Sequence, residues 1–118
     1  MYVDGFIVPV PKKNLKAYKR LATTMKKIML ELGAIDFKEC VADDVKVGKW
    51  TSFPRSVKMK KGETVMFSWI SFKSRKHRDS VNAKMMKDPR MAKMGKMEDM
   101  PFDGKRMIFG GFKVIVGA

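Results

Sequence analysis

The stretch ETVMFSWISF, residues 63–72, decides how this chain folds. Its β-branched and aromatic residues predict a strand, in which successive side chains point to opposite faces. Val65, Phe67 and Trp69 then share one face, and Met66, Ile70 and Phe72 share the other. A strand apolar on both faces has to be covered on both, and a single domain of 118 residues has little surplus chain to do it. The question is what covers the second face.

Working outward, KKGET (60–64) is a turn leading into that strand, and YVDGFIVPV (2–10) reads as a first strand closed by Pro9 and Pro11. Residues 13–32 carry Leu15, Tyr18, Leu21, Met25, Ile28 and Leu32 on one stripe at helical spacing. Lys13, Lys16, Lys19, Arg20, Lys26 and Lys27 fall opposite, and Gly33 stands where a left-handed cap belongs. A second strand follows at AIDFKECVA (34–42). Residues 43–61 are mixed, with SFPRSVK either a short helix or a turn. RKHRDSVNAKMM (75–86) predicts a second helix, Ser74 as its N-cap and Val81 and Met85 inward. Pro89 disfavours helical geometry at Asp88, so DPRM interrupts that helix before a Met-rich loop or extra helical turn. After the turn MPFDGKR, the last strand is RMIFGGFKVIV (106–116), where Gly110 and Gly111 predict a bulge or a close backbone approach.

The order β-α-β-β-α-β predicts an α+β, ferredoxin-like sandwich: a four-stranded antiparallel sheet with two helices on one face, one domain over residues 1–118. The other face would expose several large side chains, each worth roughly 1.5–3 kcal/mol if buried, because the last strand carries Ile108, Phe112 and Val114 against Met107, Phe109 and Ile115 and the first carries Val3 and Ile7 against Phe6 and Val8. A second copy packed sheet to sheet covers it, giving a homodimer through the open sheet face and a dimeric α/β barrel. The competing expectation is that segment 43–61 and the Met-rich loop fold back over the sheet in a monomer.

Composition narrows the function classes without choosing one. Hydrophobic content of 45% and charged content of 32% describe an ordinary globular protein, and no apolar run approaches the about 20 residues of a membrane span. The N-terminus makes a poor secretory signal, and Cys40, the one cysteine, cannot staple the domain, so the expected location is the cytoplasm. The net charge of +14 attracts polyanions, and 12 methionines stand mostly where Leu or Ile would serve.

Glu39 is an acid among apolar neighbours on the second strand, with Arg106 or a backbone N–H as its expected partner. It reads either as a general base or ligand anchor, or as a structural ion pair. Asp4 poses the same question on the first strand, and Trp69 is either a stacking surface or plain core. Cys40 lies on the face opposite Glu39 with no histidine near it in sequence, and His77, flanked by Lys76 and Arg78, suits an exposed neutral imidazole better than a ligand. No metal site is expected: Asp43 and Asp44 lack the spacing of a calcium loop, and zinc spacings are absent.

The stretches YVDGFIVPVP, ECVADDV, ETVMFSWI, MMKDPRM and MPFDGKRMIFGGF together resemble the YbaA-like family of small bacterial proteins, nearly end to end. The resemblance implies a bacterial cytosolic protein of the dimeric α/β-barrel superfamily, and it transfers no catalytic residue, because the family has no established activity. Haem-degrading members of that superfamily use an Asn on the first strand with a Trp and a His. Trp69 and His77 are present here, but YVDGFIVPV contains no Asn, and no cofactor is expected.

The leading expectation is therefore a homodimer binding a small apolar or amphipathic molecule, with Glu39, Trp69, Asp103 and Arg106 as polar and aromatic handles, and with or without a cofactor-independent enzymatic step. The alternative is nucleic-acid binding through Lys16, Lys19, Arg20 and Lys27 on the first helix. That face lacks interleaved aromatics, which favours a solvated helix surface. A purely structural or stress-related interaction protein is the third.

Overall fold

The structure, a computed structural model, describes residues 1–117. Its strands are β1 (Tyr2–Pro11), β2 (Asp36–Val41), β3 (Glu63–Phe72) and β4 (Ile108–Lys113). They form one antiparallel sheet in the order β2-β3-β1-β4, so the doubly apolar stretch 63–72 is an interior strand. The helices are α1 (Leu15–Glu31), α2 (Phe53–Ser56), α3 (Arg75–Lys87) and α4 (Pro89–Lys93), with 3-10 turns at Lys12–Asn14 and Met97–Asp99. Among the described residues no helix is long and apolar enough to cross a membrane.

Helix α1 forms where the apolar stripe predicts it, burying Tyr18, Ile28 and Met29. It ends at Gly33, whose φ of +119° lies outside the range a side chain tolerates comfortably. Ser74 caps α3, its Oγ accepting from the His77 N–H at 3.1 Å, and Val81 is buried below. Pro89 stops α3 at Asp88, and Asp88 turns out to be the cap of a further helix, α4. Ser52 caps α2 in the same way, through the Arg55 N–H at 3.2 Å.

Helices α1 and α3 lie on one face of the sheet. Phe37 of β2, Ile70 and Phe72 of β3, Met29 of α1 and Val81 of α3 form one buried cluster there. A second cluster joins Val8 and Val10 of β1, Met66 of β3 and Tyr18 of α1. The opposite face carries Val3, Ile7, Phe67, Trp69, Ile108 and Phe112 around a hollow of about 610 Å3. Segment 43–61 does fold back onto this face, but at one end only: Phe53 of α2 meets Phe67 edge-on at 5.9 Å, while Phe67 itself stays 44% exposed. The Met-rich segment goes instead to the helix side.

Strand β4 is shorter than the expected 106–116. Its register explains why: Lys113 pairs with Tyr2, the first residue of β1, so Ile115 and Val116 run past the end of the sheet and are exposed. Pairing from Tyr2↔Lys113 to Ile7↔Ile108 is continuous, so the glycines make no bulge. They permit a close approach: a Cβ on Gly111 would lie 2.3 Å from the Tyr2 hydroxyl oxygen.

Candidate functional site

Between the sheet and α1 lies a cavity of about 320 Å3. Phe6, Val8, Phe37 and Ile70 form its floor, and Leu21, Ala22 and Met25 of α1 form one wall. Met91 of α4 and Met94 at its C-cap, Met97, Met100 and Phe102 close over it, with Met107 beside β4. Long, unbranched thioether side chains fill an irregular roof well and rearrange at little cost. Against this apolar lining, Tyr18, Glu39 and Ser68 are the side chains with polar atoms, and Glu39 is the one that carries charge.

The folding of each element sets these three. Glu39 and Ser68 are register partners on β2 and β3 and project to the helix side. Tyr18 descends from α1 and donates its hydroxyl proton to Glu39 Oε1 at 2.7 Å. Burial pushes the Glu39 carboxyl above the usual carboxylate range, and the Tyr18 and Ser68 hydroxyls partly oppose it. The Tyr18 phenol is held well above its ordinary range, by burial first and by the adjacent carboxylate second. Glu39 therefore meets a tyrosine and not the Arg106 expected from the sequence. In the sequence Tyr18 is one apolar position on the helix stripe; the acid on the strand facing that stripe is the signal that points to it.

Two ion-paired clamps hold the roof at its ends. At one end Asp88 caps α4, accepting from the Arg90 N–H at 2.9 Å and from its guanidinium at 2.8 and 3.0 Å, while Arg90 also pairs with Glu31 of α1. These bonds hold the Asp88 carboxyl down at about 2. At the other end Arg106 spreads its guanidinium between Glu63 (2.8 and 2.5 Å), Asp103 (2.9 Å) and the Lys58 carbonyl (3.0 Å). Both carboxyls are lowered by Arg106, and the Arg106 cation is correspondingly stabilised. The stretches MMKDPRM and MPFDGKR are thus brackets for the cavity roof.

The four expected handles are not brought together. Glu39 is in the helix-side cavity, Trp69 is on the opposite sheet face, and Asp103 and Arg106 are tied to each other and to Glu63. Trp69 packs edge-on to Phe67 at 5.8 Å. Asp4 is buried and paired with Arg78 of α3 at 3.3 Å, while Arg78 also lies 5.0 Å above the Tyr2 ring. His77 is half-buried, not exposed: its Nδ1 accepts from the Lys73 N–H at 3.0 Å and its ring meets Phe72. Cys40 is exposed. Lys16, Lys19, Arg20 and Lys27 are exposed along α1. Among the described residues no cluster of three His, Cys, Asp or Glu side chains is arranged to hold a metal.

Comparison with known proteins adds a family. A profile described as "Protein of unknown function (DUF1428)" matches residues 1–104. The uncharacterized protein YbaA of Escherichia coli strain K12 is 50% identical over 115 residues, covering 98% of this chain and 97% of that relative. YbaA of E. coli O157:H7 and of Shigella flexneri match to the same extent.

Proposed function

The chain belongs to the DUF1428 family of proteins of unknown function, and we propose that it is a homodimeric small-ligand protein whose site is the methionine-roofed cavity beside Tyr18 and Glu39. The observation that carries this reading is the pairing of an ionisable carboxyl with an otherwise apolar cavity. A core seeking only stability would place Leu or Met at position 39, because replacing a buried charge by a hydrophobe of similar size is commonly neutral or stabilising. Ligand sites have this composition, a mostly apolar lining with a few placed polar groups.

The strand order β2-β3-β1-β4 with α1 and α3 on one face supports a ferredoxin-like arrangement. Its open face, with Phe67 and Phe112 well exposed beside Trp69, supports closure of a dimeric barrel by a second copy. In that assembly the dimer interface and the ligand cavity lie on opposite sides of one sheet.

Methionine-methyl NMR tests the site directly. With 13C-methyl methionine and the neutral apolar probe N-phenyl-1-naphthylamine, shifts are expected at Met25, Met91, Met94, Met97, Met100 and Met107. Met1 and Met86, exposed elsewhere, should not move. Absence of shifts at saturating probe, or shifts only outside the cavity, would overturn the reading.

A further inference from the structure

We infer that the ligand of this cavity is a lipophilic cation, an organic ammonium whose charge seats against the Glu39 carboxylate while its apolar part fills the space under the methionines. The inference rests on the cavity being a ligand site and adds the class of ligand.

Charge is distributed in an unexpected way around this site. The chain has 26 Lys and Arg residues, yet none lines the cavity. Among the described residues no cation forms an ion pair with Glu39; its partners are the neutral Tyr18 and Ser68 hydroxyls. Lys19, Lys26 and Lys38 line an adjoining groove that Tyr18 and Glu39 also line, but none of the three pairs with Glu39, and Lys38 is engaged with Asp36 at 2.8 Å. The buried acids Asp4 and Glu63 are treated differently from the half-buried Glu39: Asp4 has Arg78 and Glu63 has Arg106. Glu39 is the carboxyl that lines the cavity, and its hydrogen bond there comes from a neutral hydroxyl.

The three charge classes of ligand fare differently there. An anion meets the carboxylate across a medium that screens poorly. A neutral apolar molecule displaces whatever water solvates the carboxylate and supplies nothing in return, so it binds at the cost of further desolvation. An ammonium supplies the missing countercharge at the moment it excludes water. The rest of the lining suits it as well. Tyr18, Phe37 and Phe102 contribute aromatic rings to the lining, and the thioethers are polarizable.

The test compares benzyltrimethylammonium with neopentylbenzene, its neutral isostere, by calorimetric or NMR titration at pH 7. The wild-type protein is expected to bind the cation at least tenfold more tightly. Glu39→Gln should bring the two affinities together by weakening the cation and easing entry of the isostere, and Tyr18→Phe, which keeps the charge, should preserve the preference. Equal affinities in the wild type overturn the inference, and that comparison requires no variant to fold. Retention of the preference by Glu39→Gln overturns it too. If neither compound binds but N-phenyl-1-naphthylamine moves the cavity methionines, the charge assignment fails alone. If that probe also fails, the ligand reading fails with it.

Discussion

Tyr18 and Glu39 are joined by a 2.7 Å hydrogen bond between a helix and a strand, so the Glu39 carboxyl meets neutral hydroxyls where Glu63 meets the Arg106 guanidinium. The consequence is a carboxyl whose ionised form the fold supports weakly. Its folded pKa lies above the ordinary value of 4.5, so the folded state holds this proton more tightly than the unfolded chain does. Its contribution to stability is fully present below pH 4.5 and is lost as pH rises through the folded value.

Glu39→Gln keeps an oxygen for Tyr18 and removes the charge. The variant should be more stable than wild type at pH 7, by on the order of 1 kcal/mol. The difference should shrink toward zero as pH falls below the ordinary glutamate range. Thermal melts of both proteins between pH 4 and pH 8 read this out. A variant less stable than wild type at pH 7, with a gap independent of pH, would show that the carboxylate is well compensated.

Arg106 gives the opposite sign. Its guanidinium lowers the Glu63 carboxyl, so the stability it contributes is present above the ordinary glutamate value and lost as pH falls below it. Glu63 is 8% exposed, and Arg106→Ala leaves it a buried, uncompensated charge. The expected loss is about 3 kcal/mol by denaturant melts at pH 7. The double variant Arg106→Met, Glu63→Leu should recover most of it, since the penalty lies in the orphaned charge. A double variant no better than the single would mean that the carbonyl contacts to Val57 and Lys58 matter more.

Much of this architecture was legible in the sequence because it depends on local periodicity. Alternation placed Val65, Phe67 and Trp69 on one side of β3 and Met66, Ile70 and Phe72 on the other, as the structure has them. The site was less legible, because it depends on which elements meet. Glu39 stood out as an acid among apolar residues, but Arg106 is bound to Glu63, 43 residues earlier in the chain. Trp69 shares a strand with Ser68 yet faces away from it, and only the position of α1 tells which side holds the cavity. The methionines read as ordinary core formers in sequence, and only the placement of α4 and its C-cap shows Met91 and Met94 over the space beside Tyr18.

Gly111 offers a check on the sheet itself. The Tyr2 ring lies across its backbone, with ring carbons 2.7 and 2.8 Å from where a Cβ would sit. Gly111→Ala must therefore push Tyr2 off, and Tyr2 is held by the Arg78 guanidinium at 3.2 Å. The expected destabilisation is about 1–3 kcal/mol, the usual range for overpacking. Adding Tyr2→Ala should remove most of the extra cost of the alanine, which a double-mutant cycle would show as strong coupling. Independent, additive effects would place the ring elsewhere.

The open sheet face leads to the last expectation. Phe67, Ile108 and Phe112 stand 44%, 42% and 65% exposed around the hollow that Trp69 helps line, even with Phe53 of α2 packed against Phe67. A monomer would keep these groups in water, whereas a two-fold partner presenting the same patch would bury both sets at once. The protein should sediment at micromolar concentration as a species of twice 13.5 kDa. Phe112→Glu puts two carboxylates into such an interface, one from each copy, and should yield monomers with little change in secondary structure. Because the cavity lies across the sheet, that variant should still show probe-induced shifts at Met91 and Met94. Wild type sedimenting at 13.5 kDa would remove the dimer and leave the cavity standing. A Phe112→Glu monomer that no longer takes up the probe would show that the two faces depend on each other.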